Sequence, residues 1–114
     1  MDKYNIFIQQ KYEWFKDAIV LCSNIFSYSS PKKEWIVFEE LNIDIPCYLC
    51  DKNLDDFFNN YMIDNEIKDL SIKLRESFIN LQKGAKWNTK AIWYSIELQE
   101  VIKISKDILK RLYY

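Results

Sequence analysis

Two short motifs in this 114-residue chain have residue types and spacing that could do chemistry. Cys47-Tyr48-Leu49-Cys50 is a CxxC. A redox role for that spacing needs a thiolate held at a helix N-terminus, usually in a βαβ setting, and no such pattern surrounds it. A zinc role needs four ligands, and only Cys22 is left to add. The pair therefore reads as ordinary buried or partly buried thiols. Glu66-Ile67-Lys68, with Asp55 and Asp56 upstream, echoes the Asp…Glu-x-Lys arrangement of magnesium nucleases. In such sites carboxylates converge on a metal and a lysine stands near the attacking water. Here the residues fall in a helical stripe instead of a strand, and lysine- and glutamate-rich helices produce the spacing by chance. A solvated helix face is the expected outcome.

The absences are more specific. The chain has no histidine, which removes Ser-His-Asp and Cys-His nucleophilic sites and the commonest transition-metal ligand. A single glycine, Gly84, cannot build a glycine-rich phosphate cradle. No enzyme, metal or cofactor is expected.

Any function must then rest on the surface that the elements present. One glycine and two prolines, Pro31 and Pro46, supply too few turns for a compact all-β fold, so few and long elements are expected. Tyr4, Ile8, Phe15, Ala18, Ile19, Cys22, Ile25 and Phe26 recur at helical steps and predict a helix over 3–27, ended by Ser29-Ser30-Pro31. Asn53 suits the N-cap of a helix carrying Leu54, Phe57, Phe58, Tyr61 and Met62, with Asp55 and Asp56 in its first turn. Asp64 or Asn65 starts a helix with Ile67, Leu70, Leu74, Phe78 and Leu81, closed by Lys83 and Gly84. Thr89 caps a last helix with Tyr94, Leu98, Val101, Ser105, Ile108 and Leu112. Residues 35–50 are ambiguous. Trp35 to Leu41 fit a short helix, whereas Leu41, Ile43 and Ile45 alternate with polar residues as a strand does. The expectation is a mainly α, single-domain bundle over 1–114, with four to five helices and one irregular or extended crossover near 35–50.

Charge is unevenly placed along the chain. Residues 34–69 hold ten carboxylates against Lys52 and Lys68, a net −8, while 1–33 carry +2 and 70–114 carry +5, for a total of −1. Such segregation steers a basic partner toward the acidic part. Glu39, Glu40, Asp44, Asp51, Asp55 and Asp56 are the candidate partner-binding carboxylates, with Tyr48 as an aromatic anchor among them. Trp87, beside Gly84, is a second candidate anchor, and most other aromatics should fill the core. The first ten residues, MDKYNIFIQQ, lack the pattern of a signal peptide, and the odd cysteine count suits a reducing compartment, so a cytoplasmic location without membrane insertion is expected.

In size, helical character, missing catalytic residues and the acidic run Glu39 to Asp56, the chain resembles the small immunity proteins of bacterial contact-dependent growth inhibition and colicin-type systems. The back half, from Leu70-Ser71-Ile72-Lys73-Leu74-Arg75 through Trp93 to Leu109, has a similar character. The resemblance implies a protein-binding inhibitor that holds the C-terminal domain of a cognate toxin one-to-one, in the cytosol of the producing cell. A nuclease toxin presents a basic site for phosphates, and carboxylates can occupy it as a decoy. The basic last third departs from that pattern. Lys103, Lys106, Lys110 and Arg111 fall close to one helix face and support an alternative, a nucleic-acid-binding helical module, which Glu97, Glu100 and Asp107 disfavour by diluting the field. A metal-dependent nuclease on Asp55, Asp56, Glu66 and Lys68 is the remaining alternative.

Overall fold

The computed structural model describes residues 3–113, with side chains from Phe7 onward. The elements are α1 (Lys3–Ser23), α2 (Ser30–Trp35), α3 (Leu41–Tyr48), α4 (Asp51–Asn59), α5 (Asn65–Lys83) and α6 (Ile96–Leu112). A π-helical turn, Ile36–Glu40, joins α2 to α3 without a break, so the described residues form five helical rods and no strand. Two short 3-10 turns, Ile25–Ser27 and Ile92–Tyr94, follow α1 and precede α6. A mainly α bundle is what the turn-poor composition called for.

The crossover is where the sequence pattern misled. In a strand Leu41, Ile43 and Ile45 would share a face; in a helix Ile43 points away from the other two. Leu41 and Ile45 are fully buried and Ile43 is 62% exposed, so the helical period holds and no extended segment forms. The π turn makes this possible. It takes more residues per turn than an α-helix, which brings Ile36 and Val37 onto the core side that Leu41, Ile45 and Leu49 continue.

The α3–α4 corner corrects a second expectation. Helix α4 starts at Asp51 with Cys50 in the N-cap position, so Asn53 lies inside the helix and is buried. Its amide instead donates backward to the carbonyls of Cys47 (3.2 Å) and Tyr48 (3.4 Å). Arg75 from α5 donates to the carbonyl of Leu49 (2.9 Å). Three carbonyls orphaned at the end of α3 are thus met by two side chains, which holds the corner tightly. Asp55 and Asp56 fall beyond the first turn, where Asp51 sits instead.

At α5 the cap is as expected: the carboxylate of Asp64 accepts from the amide of Ile67 (2.9 Å). Gly84 ends α5, with extended backbone in place of a left-handed one. Thr89 does not cap the last helix. Ser95 does, its hydroxyl accepting from the Leu98 amide (3.1 Å), because Asn88 holds residues 90–91 in a turn of their own.

The core runs through all the rods. Phe15, Ile19 and Cys22 of α1, Leu54 and Phe57 of α4, Leu74 and Phe78 of α5, and Leu98, Val101 and Ile108 of α6 are buried together. Tyr12, Phe15 and Phe57 form a ring cluster with centroids 5.2–5.9 Å apart. The Cys22 thiol is fully buried, and desolvation pushes its pKa up to about 12, so it behaves as a small apolar side chain. Phe26, expected in the core stripe of α1, is half exposed because α1 ends at Ser23; the side chain of Tyr4 lies outside the described residues.

Candidate protein-binding surface

The helical rod from Ser30 to Tyr48 has two edges, and each seats against a neighbour. Phe38 packs its ring against Trp87 (4.6 Å) and Trp93 (6.4 Å), and Asn42 accepts a hydrogen bond from Gln82 of α5. On the opposite edge Tyr48 lies against Trp14 of α1, ring centroids 5.6 Å apart. What remains outward is a crest at four-residue spacing: Trp35, Glu39, Ile43 and Cys47, all exposed. Trp35 is 55% exposed, and together with Ile43 it places two large apolar side chains in water.

Beside the crest Glu40, Asp44 and Tyr48 follow one another at four-residue steps along the α1-facing edge. Neither Glu39, Glu40 nor Asp44 has a cationic partner among the described residues. Desolvation, and then the nearby charge of Glu40, raise the Asp44 carboxyl above the usual aspartate value. Tyr48 is raised in turn, by desolvation first and then by the charge of Asp44. The strip therefore holds negative charge that no cation among the described residues compensates.

The other three candidate carboxylates are elsewhere and already matched. Asp51 pairs with Arg75 (2.8 Å), Asp55 with Lys68 (2.8 Å) and Asp56 with Lys52 (3.1 Å). The seven residues expected to form one partner-binding face thus divide at the α3–α4 corner: Glu39, Glu40, Asp44 and Tyr48 come together, and Asp51, Asp55 and Asp56 do not join them. Trp14, 40% exposed, Trp35 and Ile43 are members that sequence reasoning missed. Composition alone places the first two in the core, and the strand-like alternation hides the third. Trp87 packs inward against Phe38 and Phe78 and is not an exposed anchor.

The two chemical motifs do not assemble. Cys47 is exposed and Cys50 half-buried, both as free thiols, and the Cys50 side chain makes no capping bond to α4. Glu66 turns to Arg111 of α6 while Lys68 turns to Asp55 and the ring of Phe58 (5.0 Å), so carboxylates and lysine of the Glu-x-Lys do not converge. Among the described residues no group of three or more His, Cys, Asp or Glu could hold a metal ion. On the basic side Lys103 and Lys106 flank a shallow groove floored by Phe26 and Ile102, and Asp107 shares it. Arg111 is committed to Glu66. Among the described residues no helix is long and apolar enough to cross a membrane.

No protein-family model, curated protein or solved structure matches the chain.

Proposed function

We propose that this chain is a non-enzymatic inhibitor of the immunity type, which neutralises a basic toxin domain by covering it one-to-one with the α2–α3 crest. The observation that carries the reading is the contrast within the acidic run. Glu39, Glu40 and Asp44 stand without cations among the described residues, beside exposed Trp35, Ile43 and Trp14, while Asp51, Asp55 and Asp56 are matched internally. Aromatic and aliphatic anchors in the centre of an interface supply holding energy, and uncompensated carboxylates around them select a cationic partner. Asp44, raised by desolvation first and then by Glu40, gains from a lysine or arginine brought against it, because a positive charge favours the ionised carboxylate and offsets both effects. Such a contact needs no reacting group on this side, in keeping with the missing histidine. The cytosol of a toxin-producing bacterium is the place such a protein acts.

The test is titration calorimetry against the C-terminal domain of a secreted toxin encoded beside this chain. The reading predicts one-to-one binding, and loss of affinity on the order of 100-fold when Glu39, Glu40 and Asp44 are all replaced by lysine, with unchanged circular dichroism. Unaltered affinity in that variant would exclude the crest as the contact.

A further inference from the structure

Glu97, Glu100 and Asp107 stand among the lysines of α6 in the sequence, and the fold sorts them. Glu97 and Glu100 turn to a dip shared with Ser77 and Asn80 of α5, where Glu100 pairs with Lys73 (3.8 Å). Gln99, Lys103, Lys106 and Lys110 follow one another at four- and three-residue steps, which puts them on a different face, and all four are exposed. That face runs about 16 Å along the helix axis. Of the three acids only Asp107 borders it.

A half-exposed ring lies in the same place. Phe26, from the turn after α1, lines the shallow groove beside Gln99, Lys103 and Lys106. Trp93 meets it edge-on, with centroids 6.4 Å apart. The Lys33 ammonium stands 4.5 Å from the centre of the Trp93 ring and 5.5 Å from that of Phe26. Neither Lys33, Lys103, Lys106 nor Lys110 has a carboxylate partner among the described residues. Positive charge is thus left over around an aromatic platform.

We infer that this face binds single-stranded nucleic acid, with the lysines on the phosphates, a base stacked on Phe26 and the Gln99 amide on a base edge. Unpaired cations select a polyanion, and the groups between them select which one. A run of side-chain carboxylates would use the lysines alone. A nucleotide uses the cations with its phosphate, the ring with the flat face of its base, and an amide that both donates and accepts with the base edge. A duplex keeps its base faces inside the stack and would leave the ring unused. The surface shares no residue with the α2–α3 crest, and its use does not depend on a toxin. With about three or four phosphate contacts, the Kd is on the order of 100 µM near physiological salt and tightens as salt falls.

Fluorescence anisotropy of a labelled oligothymidylate of about 12 nucleotides, titrated with the intact protein at roughly 150 and 30 mM salt, tests this. Binding is expected to be about 50-fold tighter at the lower salt. Lys103→Gln with Lys106→Gln should weaken it and flatten the salt dependence. Phe26→Leu should weaken it about 10-fold with the salt dependence kept, while Phe26→Tyr, which retains the ring, stays within a few-fold of wild type. Asp107→Asn should tighten it. No binding at the lower salt would overturn the inference. So would equal affinity in Phe26→Leu, or a duplex of the same length bound more tightly than the single strand, either of which would leave a merely cationic face. Displacement by polyglutamate as effective as by unlabelled oligothymidylate would also overturn it, in favour of an acidic protein segment.

Discussion

The acidic run behaves as two different materials on either side of the α3–α4 corner. From Asp51 to Glu66 the carboxylates hold the fold: Asp51 reaches Arg75, Asp55 reaches Lys68, Asp56 reaches Lys52, Asp64 caps α5, and Glu66 reaches Arg111. From Glu39 to Asp44 they meet no cation among the described residues, and Trp35, Ile43 and Trp14 stand exposed beside them. Net charge alone therefore says little about where a partner binds. The useful quantity is the charge left over after the molecule has satisfied itself; of the six candidate carboxylates, those without a cation among the described residues all lie on one rod.

The largest effect on the internally matched half comes from Arg75→Ala. Its half-buried guanidinium donates to the Leu49 carbonyl and to Asp51, and its removal leaves one end of α3 unsatisfied. A loss of about 2 kcal/mol in urea unfolding is expected, from the usual worth of hydrogen bonds to charged groups. Next is Asp64→Ala, which removes the α5 cap and should lower stability by about 1 kcal/mol on the same measurement. Each of Asp51→Asn, Asp55→Asn and Asp56→Asn removes one surface ion pair and should cost less than about 1 kcal/mol, with sensitivity to salt.

The smallest effect should have the opposite sign. Because the folded Asp44 carboxyl is raised, folding favours its protonated form, and stability falls as pH rises through that raised value. Asp44→Asn is therefore expected to melt slightly higher than wild type at neutral pH. Thermal scans should show the difference vanish as pH drops below the ordinary carboxylate range. A lower melting temperature at neutral pH would mean that Asp44 holds the fold, as Asp51 does.

Much of the bundle was legible in the chain. The i, i+3, i+4 stripe of Ile67, Leu74, Phe78 and Leu81, bounded by Asp64 and Gly84, is local information and gives α5 nearly residue for residue. Where two periods coincide the sequence is silent. Leu41 and Ile45 satisfy both a strand and a helix, and only the exposure of Ile43 decides. Asn53 and Thr89 are plausible caps that tertiary contacts override, the first by drawing its amide to the end of α3, the second by the Asn88 turn. The candidate surface was half legible for a similar reason. Composition shows ten carboxylates in 34–69, but Arg75 lies 24 residues from Asp51, and Arg111 lies 45 residues from Glu66. Pairing at that separation is a property of the fold.

Two neutral triple variants, titrated calorimetrically against the toxin domain proposed as partner, separate the two halves of the acidic run: Glu39→Gln with Glu40→Gln and Asp44→Asn, and Asp51→Asn with Asp55→Asn and Asp56→Asn. Both remove three negative charges, so long-range steering changes equally. Affinity is predicted to fall on the order of 100-fold in the first and by no more than about 3-fold in the second. Equal losses in the two variants would contradict the claim that the crest carries the contact.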